Sequence, residues 1–168
     1  INDLSECLPS NAIIATDCGG NVVLMNHAFK TKVGQRYFSN NGNSPMGFSF
    51  AAAIGAWLAA PDRPVICIIG DGGFNLNIQE IQTLVACGAK VKTFIINNHI
   101  YGITKAFQQR HYGDRFEAST APHYSPPDFI HIADAYGVDS MRIFLGGDCR
   151  KESLNYYINV VLNTSHAV

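Results

Sequence analysis

The residues best suited to chemistry are Gly70-Asp71-Gly72-Gly73 and, farther along, Asn97-Asn98. Glycines let a backbone come close to a ligand and turn N–H groups toward an anion. An aspartate in the same turn would repel a phosphate unless a cation lay between them. Magnesium suits that role, because it takes near-octahedral oxygen ligands and commonly combines one or two carboxylates with phosphate oxygens. Asn98, 27 positions beyond Asp71, can add an amide oxygen, and a nearby backbone carbonyl a third protein ligand. Each cluster alone is weak: a G-D-G-G stretch is also an ordinary strand-to-helix turn, and Asn-Asn says less still. Their placement between particular elements carries the argument.

Apolar runs alternate with helical patterns along the chain. Ala12 to Thr16 reads as a short buried strand, followed by a helix over Val22 to Phe29 and a second short strand over Arg36 to Ser39. A polar loop, Asn40 to Pro45, leads into a helix rich in small residues from Met46 to Ala60, which Pro61-Asp62-Arg63-Pro64 stops. Val65 to Ile69 is a β-branched strand running into the glycine cluster. Asn77 to Cys87 is a helix with Ile78, Ile81 and Val85 on one face and Gly88 as its C-cap. Val91 to Ile96 is another buried strand, ending at Asn97-Asn98.

Beyond it the pattern predicts a helix over Gly102 to Gln109 and an irregular loop over His111 to Pro127. A helix over Asp128 to Tyr136, a strand over Val138 to Phe144, a helix over Lys151 to Leu162 and the opening of one more strand at His166 to Val168 complete it. Continuous apolar strands separated by helices indicate an α/β fold, three layers α/β/α around a mainly parallel sheet. Ligands bind such sheets at the carboxyl ends of the strands, where both polar clusters fall.

The 168 residues fit one domain, and 12 Lys plus Arg against 13 Asp plus Glu leave a formal net charge of −1. That balance, with no charge run longer than two, argues against a nucleic-acid surface. No apolar stretch reaches the ~18 residues of a membrane span, and the first residues lack the regions of a signal peptide. Charged residues make up only 15%, against about 25% in an average soluble domain, so part of the surface is expected to be buried against another domain or subunit. The five cysteines (Cys7, Cys18, Cys67, Cys87, Cys149) show no metal or disulfide spacing, and a reducing cytoplasm is their natural setting.

The joint pattern resembles the thiamine-diphosphate-dependent enzymes, specifically the C-terminal diphosphate-binding domain of the acetolactate synthase and 2-oxo acid decarboxylase group. Gly70-Asp71-Gly72-Gly73-Phe74 with Asn77-Ile78-Gln79-Glu80 matches the family signature, as do Asn97-Asn98, Met46-Gly47-Phe48 with Ala52-Ala53-Ile54-Gly55-Ala56, Thr16-Asp17, and Tyr101-Gly102-Ile103. The likeness runs over essentially the whole chain. It implies that Asp71 and Asn98 bind magnesium through side-chain oxygens and Ile100 through its carbonyl. It further implies that Gly70, Gly72 and Gly73 meet the diphosphate, with Gly102 and Ile103 closing over it. Met46 matches the large apolar residue wedged between the cofactor's two rings, and Ser44 the residue whose carbonyl accepts from the cofactor's amino group. The implied reaction is decarboxylation of a 2-oxo acid, the product then joining a second carbonyl or simply taking a proton.

Departures from the family are also visible. Gly19-Gly20-Asn21 stands where synthases often have Gly-Gln-His, Ser44-Pro45 replaces a small pair, and Ala51 replaces a proline. The family's activating glutamate comes from a pyrimidine-binding domain, usually on a neighbouring subunit, and this chain offers no match for it. The chain is therefore expected to be one domain of a longer homo-oligomeric enzyme, or one subunit of a two-chain decarboxylase, ending before the family's last strand and inactive alone. The residues also admit two readings of other classes. Gly47-Phe48-Ser49-Phe50-Ala51 nearly matches a hydrolase elbow but lacks the preceding strand. A non-catalytic assembly module would be told apart by activity on mixing with a pyrimidine-domain partner. Of the remaining polar side chains, His111, His123 and His131 read as surface residues, and Arg110 and Arg115 as solvating the loop.

Overall fold

The computed structural model describes residues 1–144, 156, 158–161 and 163. Four strands, β1 (Ile13–Thr16), β2 (Arg36–Ser39), β3 (Val65–Gly70) and β4 (Val91–Ile96), form one sheet in the order β2-β1-β3-β4, every pairing parallel. β3 is apolar throughout because both its faces are covered, and its residues Val65 to Ile69 are fully buried. Alternate residues of the strands feed two separate cores. Ile13, Ala15, Val65, Cys67, Ile69 and Val91 face one layer; Ile14, Ile66 and Ile68 face the other.

Helices α3 (Phe48–Ala59), α4 (Asp71–Leu76), α5 (Glu80–Cys87) and α7 (Phe129–Ala135) supply Phe50, Phe74, Leu84 and Phe129 to the first core. The Phe74 ring meets Phe50 at 5.0 Å and Phe129 at 5.4 Å, edge to face in both pairs, so α4 is anchored from two sides. The opposite layer holds α1 (Asn2–Cys7), with Leu4, and α2 (Gly20–Ala28), with Met25, together with Ile158. The expected α/β/α sandwich is thus observed. Among the described residues, no helix is long and apolar enough to cross a membrane.

Several boundaries differ from the sequence expectation, each for a physical reason. The helix expected from Met46 begins at Phe48, because Gly47 takes a left-handed φ of +86° and stands outside it as the N-cap. Helix starts one full element earlier after β3: α4 begins at Asp71 itself, and α5 follows at Glu80 rather than Asn77. The turn that begins at Asp71 carries Phe74 into the first core, where it is buried. α6 (Gly102–Tyr112) outlasts Gln109, and α1 forms where the sequence pattern predicts no element. No strand forms over Val138 to Phe144; Val138 packs on the first core, but Met141 and Phe144 are exposed and no neighbouring strand pairs with the segment among the described residues. Tyr156 and 158–161 are helical, as expected within Lys151 to Leu162, and Asn163, one residue beyond that range, is helical too. The expectations for Lys151 to Asn155 and for His166 to Val168 lie outside the described residues.

Candidate functional site

The strand order places the change of winding direction between β1 and β3: β2 lies on one side of β1, while β3 and β4 extend from the other. In an open parallel sheet that crevice, at the carboxyl ends, is where ligands bind. Thr16-Asp17 leaves β1 there and Gly70-Asp71 leaves β3. Gly70 pairs with Ile96 across β3 and β4, so Asp71 and Asn97 leave the sheet side by side.

Asp17 is buried, and its work is structural. Its Oδ2 accepts from the Gly47 N–H at 3.0 Å and its Oδ1 from the Ser49 N–H at 3.1 Å, which caps α3 from the end of β1. A side chain at Gly73 would collide with that same carboxylate, so Gly73 is bare because Asp17 lies against it. Asn77 completes the knot, donating from Nδ2 to the Gly47 carbonyl at 2.9 Å. Ser49, the residue of the hydrolase-like elbow, is buried with its hydroxyl 3.3 Å from the Ile68 carbonyl and 3.4 Å from Cys67 Sγ. No solvent-facing nucleophile exists there, which disposes of that reading. Burial and the neighbouring Asp17 carboxylate push the Cys18 thiol up to about 11, and burial pushes Cys67 up to about 12.

Asp71 is 3% exposed. Its Oδ2 accepts from the Tyr124 hydroxyl at 3.0 Å, and its Oδ1 carries no hydrogen bond among the described residues. A Cβ at Gly72 would strike the Tyr101 ring and stand 3.0 Å from Met46 Cε, so both side chains are seated on that glycine. Tyr101 in turn packs on Tyr124, ring centroids 4.2 Å apart. Burial, then the adjacent Asp71 carboxylate, holds the Tyr124 phenol above its ordinary value. Asp71, Gly72, Met46, Tyr101 and Tyr124 are therefore one cluster.

Asn98 is exposed, and its Oδ1 accepts from the Ile100 N–H at 3.1 Å. His99, between them, has a left-handed φ of +59° and its side chain is exposed. An amide oxygen has two lone pairs, so this turn leaves one for a cation. Gly102 lies beside the same turn, where a Cβ would be 3.8 Å from Ile100 Cδ1 and 4.0 Å from Asn98 Nδ2. Ile103 is exposed at the start of α6. Ser44, at a left-handed φ of 49°, donates its N–H to the Asn40 carbonyl and touches none of the cluster by hydrogen bond among the described residues. Asn21 Nδ2 lies 2.6 Å from where a Cβ on Gly70 would stand, which brings Asn21 to the rim of the site.

Sequence reasoning did not find Tyr124. It falls in a stretch read as an irregular loop, and its partner is 53 positions away. Histidines 111, 123 and 131 are exposed, and Arg115 donates to the Tyr112 carbonyl at 2.9 Å rather than reaching the cluster. Among the described residues no group of three His, Cys, Asp or Glu could hold a metal. The expected set, one carboxylate with an amide and a backbone oxygen, is of another kind.

Residues 17–156 match the family described as thiamine pyrophosphate enzyme, C-terminal TPP binding domain. The chain belongs to that family. Relatives that it resembles include acetolactate synthase large subunits. A "Probable acetolactate synthase large subunit" of Methanococcus aeolicus is 37% identical over 175 residues, spanning 100% of this chain and 28% of its own length. The acetolactate synthase large subunit of Parasynechococcus marenigrum is 42% identical over 137 residues, 81% of this chain and 22% of its own. Isozyme 2 of Escherichia coli is 28% identical over 165 residues, 98% of this chain and 29% of its own. The chain thus spans less than a third of the length of the curated relatives it matches. It is a C-terminal thiamine-pyrophosphate-binding domain of that family, similar in sequence to acetolactate synthase large subunits.

Proposed function

We propose that the β3 and β4 ends hold the cofactor's diphosphate through magnesium. The observation that carries this reading is the buried Asp71 carboxylate at the switch point, next to a bare Gly72 on which Met46 is seated. These residues fit such a group. A diphosphate with its cation needs a carboxylate, further neutral oxygens and backbone free of side chains, and the two strand ends offer all three. Asp71 and Asn98 would contribute side-chain oxygens to the cation and Ile100 its carbonyl. Gly70, Gly72 and Gly73 would face the diphosphate with backbone alone, while Gly102 and Ile103 would close the opposite side. Met46, already packed on Gly72, would support the cofactor's bent shape, and Ser44 would accept from its amino group.

When bound, thiamine diphosphate supplies the electron sink that lets a 2-oxo acid lose carbon dioxide. For the complete enzyme the reading is decarboxylation of a 2-oxo acid followed by ligation to a second carbonyl, supported by relatives named acetolactate synthase. A pyrimidine-binding domain would bring the activating glutamate from a neighbouring subunit. Exposed apolar side chains on several helices, Val23 and Leu24 on α2, Leu58 on α3 and Phe107 on α6, support burial of apolar surface in a homo-oligomer. Calorimetric titration with thiamine diphosphate, with and without magnesium, tests the site. Magnesium-dependent binding lost in Asp71→Ala is the expected result; binding indifferent to both magnesium and Asp71 would overturn it.

A further inference from the structure

Tyr124 lies outside every motif that pointed to this site, yet it makes the one hydrogen bond to the Asp71 side chain among the described residues, 3.0 Å from Oη to Oδ2. The loop carrying it is fastened to α6. Gln108 Nε2 donates to the Glu117 carbonyl at 2.9 Å, while its Oε1 accepts from the Ser119 hydroxyl at 2.6 Å and the Glu117 N–H at 3.3 Å. Buried Ser119 then accepts the Tyr101 N–H at its carbonyl, 2.9 Å, and Tyr124 N–H donates to the Thr120 carbonyl at 3.0 Å. Tyr101 and Tyr124 consequently arrive as one packed pair, their rings tilted by 36°, the first on Gly72 and the second bonded to Asp71.

We infer that Tyr124 is a positioning residue for the cation site: its hydroxyl holds Asp71 Oδ2 and thereby presents Oδ1 as the ligand oxygen. This rests on the proposed role of Asp71. A carboxylate on a single χ2 torsion can otherwise rotate, offering either oxygen or both. Donors that bond the ligating group orient it, and their loss commonly weakens metal binding about 10- to 100-fold. Tyr124 serves this purpose better than a charged donor would. An arginine or lysine there would neutralise Asp71 and compete with the cation, whereas a neutral phenol leaves the carboxylate its charge. The Tyr101 ring keeps the phenol in place.

The test uses the full chain with thiamine diphosphate present and Mn2+ as the probe, free ion being counted by electron paramagnetic resonance. Tyr124→Phe keeps the ring and its packing on Tyr101 and removes only the hydroxyl. The expected result is Mn2+ affinity reduced about 10-fold or more, an altered hyperfine pattern of the bound ion, and an unchanged far-ultraviolet circular dichroism spectrum. Tyr112→Phe, on the exposed flank of α6, should bind as the parent does. Affinity and spectrum unchanged in Tyr124→Phe, even with lowered thermal stability, would overturn the inference by showing a purely structural bond. Tighter binding would overturn it too, by showing that the phenol competes with the ion. Asp71→Ala reports separately on the underlying reading: if it binds Mn2+ like the parent, the cation site itself is misplaced and the role of Tyr124 falls with it.

Discussion

Asp17 offers the sharpest test of how this site is held. Its carboxylate is 2% exposed and accepts two backbone N–H groups, from Gly47 and Ser49, at 3.0 and 3.1 Å. Hydrogen bonds to a charged acceptor each contribute roughly 1.5–3 kcal/mol, so removing both costs roughly 3–6 kcal/mol gross. Alanine also relieves the desolvation of a buried charge, which offsets part of that loss. A net destabilisation of about 3 kcal/mol is expected for Asp17→Ala, against about 1–2 kcal/mol for Asp17→Asn, which keeps one accepting oxygen. For a domain of this size the alanine variant should melt about 6–12 °C lower. Urea titration followed by circular dichroism gives the free energies, and scanning calorimetry the midpoints. A loss below about 1 kcal/mol in Asp17→Ala would refute the reasoning, because the α3 N-terminus would then be satisfied without the carboxylate.

A further expectation follows from the same knot. Gly47→Ala forces a Cβ into a left-handed position 2.8 Å from Asn77 Nδ2 and 3.1 Å from the Gly73 carbonyl, and should cost about 2–3 kcal/mol in urea. Gly20→Ala, in the open first turn of α2, should be neutral or stabilise by about 0.5 kcal/mol, and equal losses at both positions would refute the steric argument. Thiol reactivity gives a pH signature: with Cys18 held near 11, about one molecule in a thousand carries its thiolate at pH 8, so exposed Cys87 should be alkylated far sooner, as site-resolved mass spectrometry would show. Cys18 and Cys67 are both held protonated in the fold but ionise near 9 in the unfolded chain. Stability should therefore fall as pH rises from 9 toward 11, and a flat profile there would contradict the burial argument.

Much of this architecture was legible in the residues themselves. β3 and β4 are read from Val65 to Ile69 and Val91 to Ile96 because a strand covered on both faces must be apolar at every position, so periodicity is not needed to see it. The same logic misled over Val138 to Phe144. Its apolar residues suit a strand, but a strand exists only where a neighbour supplies hydrogen bonds, and no local feature reports a neighbour. The spacing of Asp71 and Asn98 pointed to adjacent strand ends, and the register of Gly70 with Ile96 provides them.

What the chain could not disclose in one dimension is who holds these groups. Motif logic gave Gly72 and Gly73 a single purpose, facing a ligand. In three dimensions Gly73 is bare because Asp17 occupies its side, and Gly72 because Tyr101 and Met46 do. Asp17 reaches Gly47 across 30 positions, and Tyr124 reaches Asp71 across 53. Contacts at such separations leave no periodicity or spacing in the sequence, since nothing in the intervening residues depends on them. Local composition and hydrophobic pattern determined the strands, most of the helices and the identity of the polar clusters. Tertiary packing alone decided that a loop tyrosine would be seated on the buried aspartate, because only the folded sheet brings the two within hydrogen-bond reach.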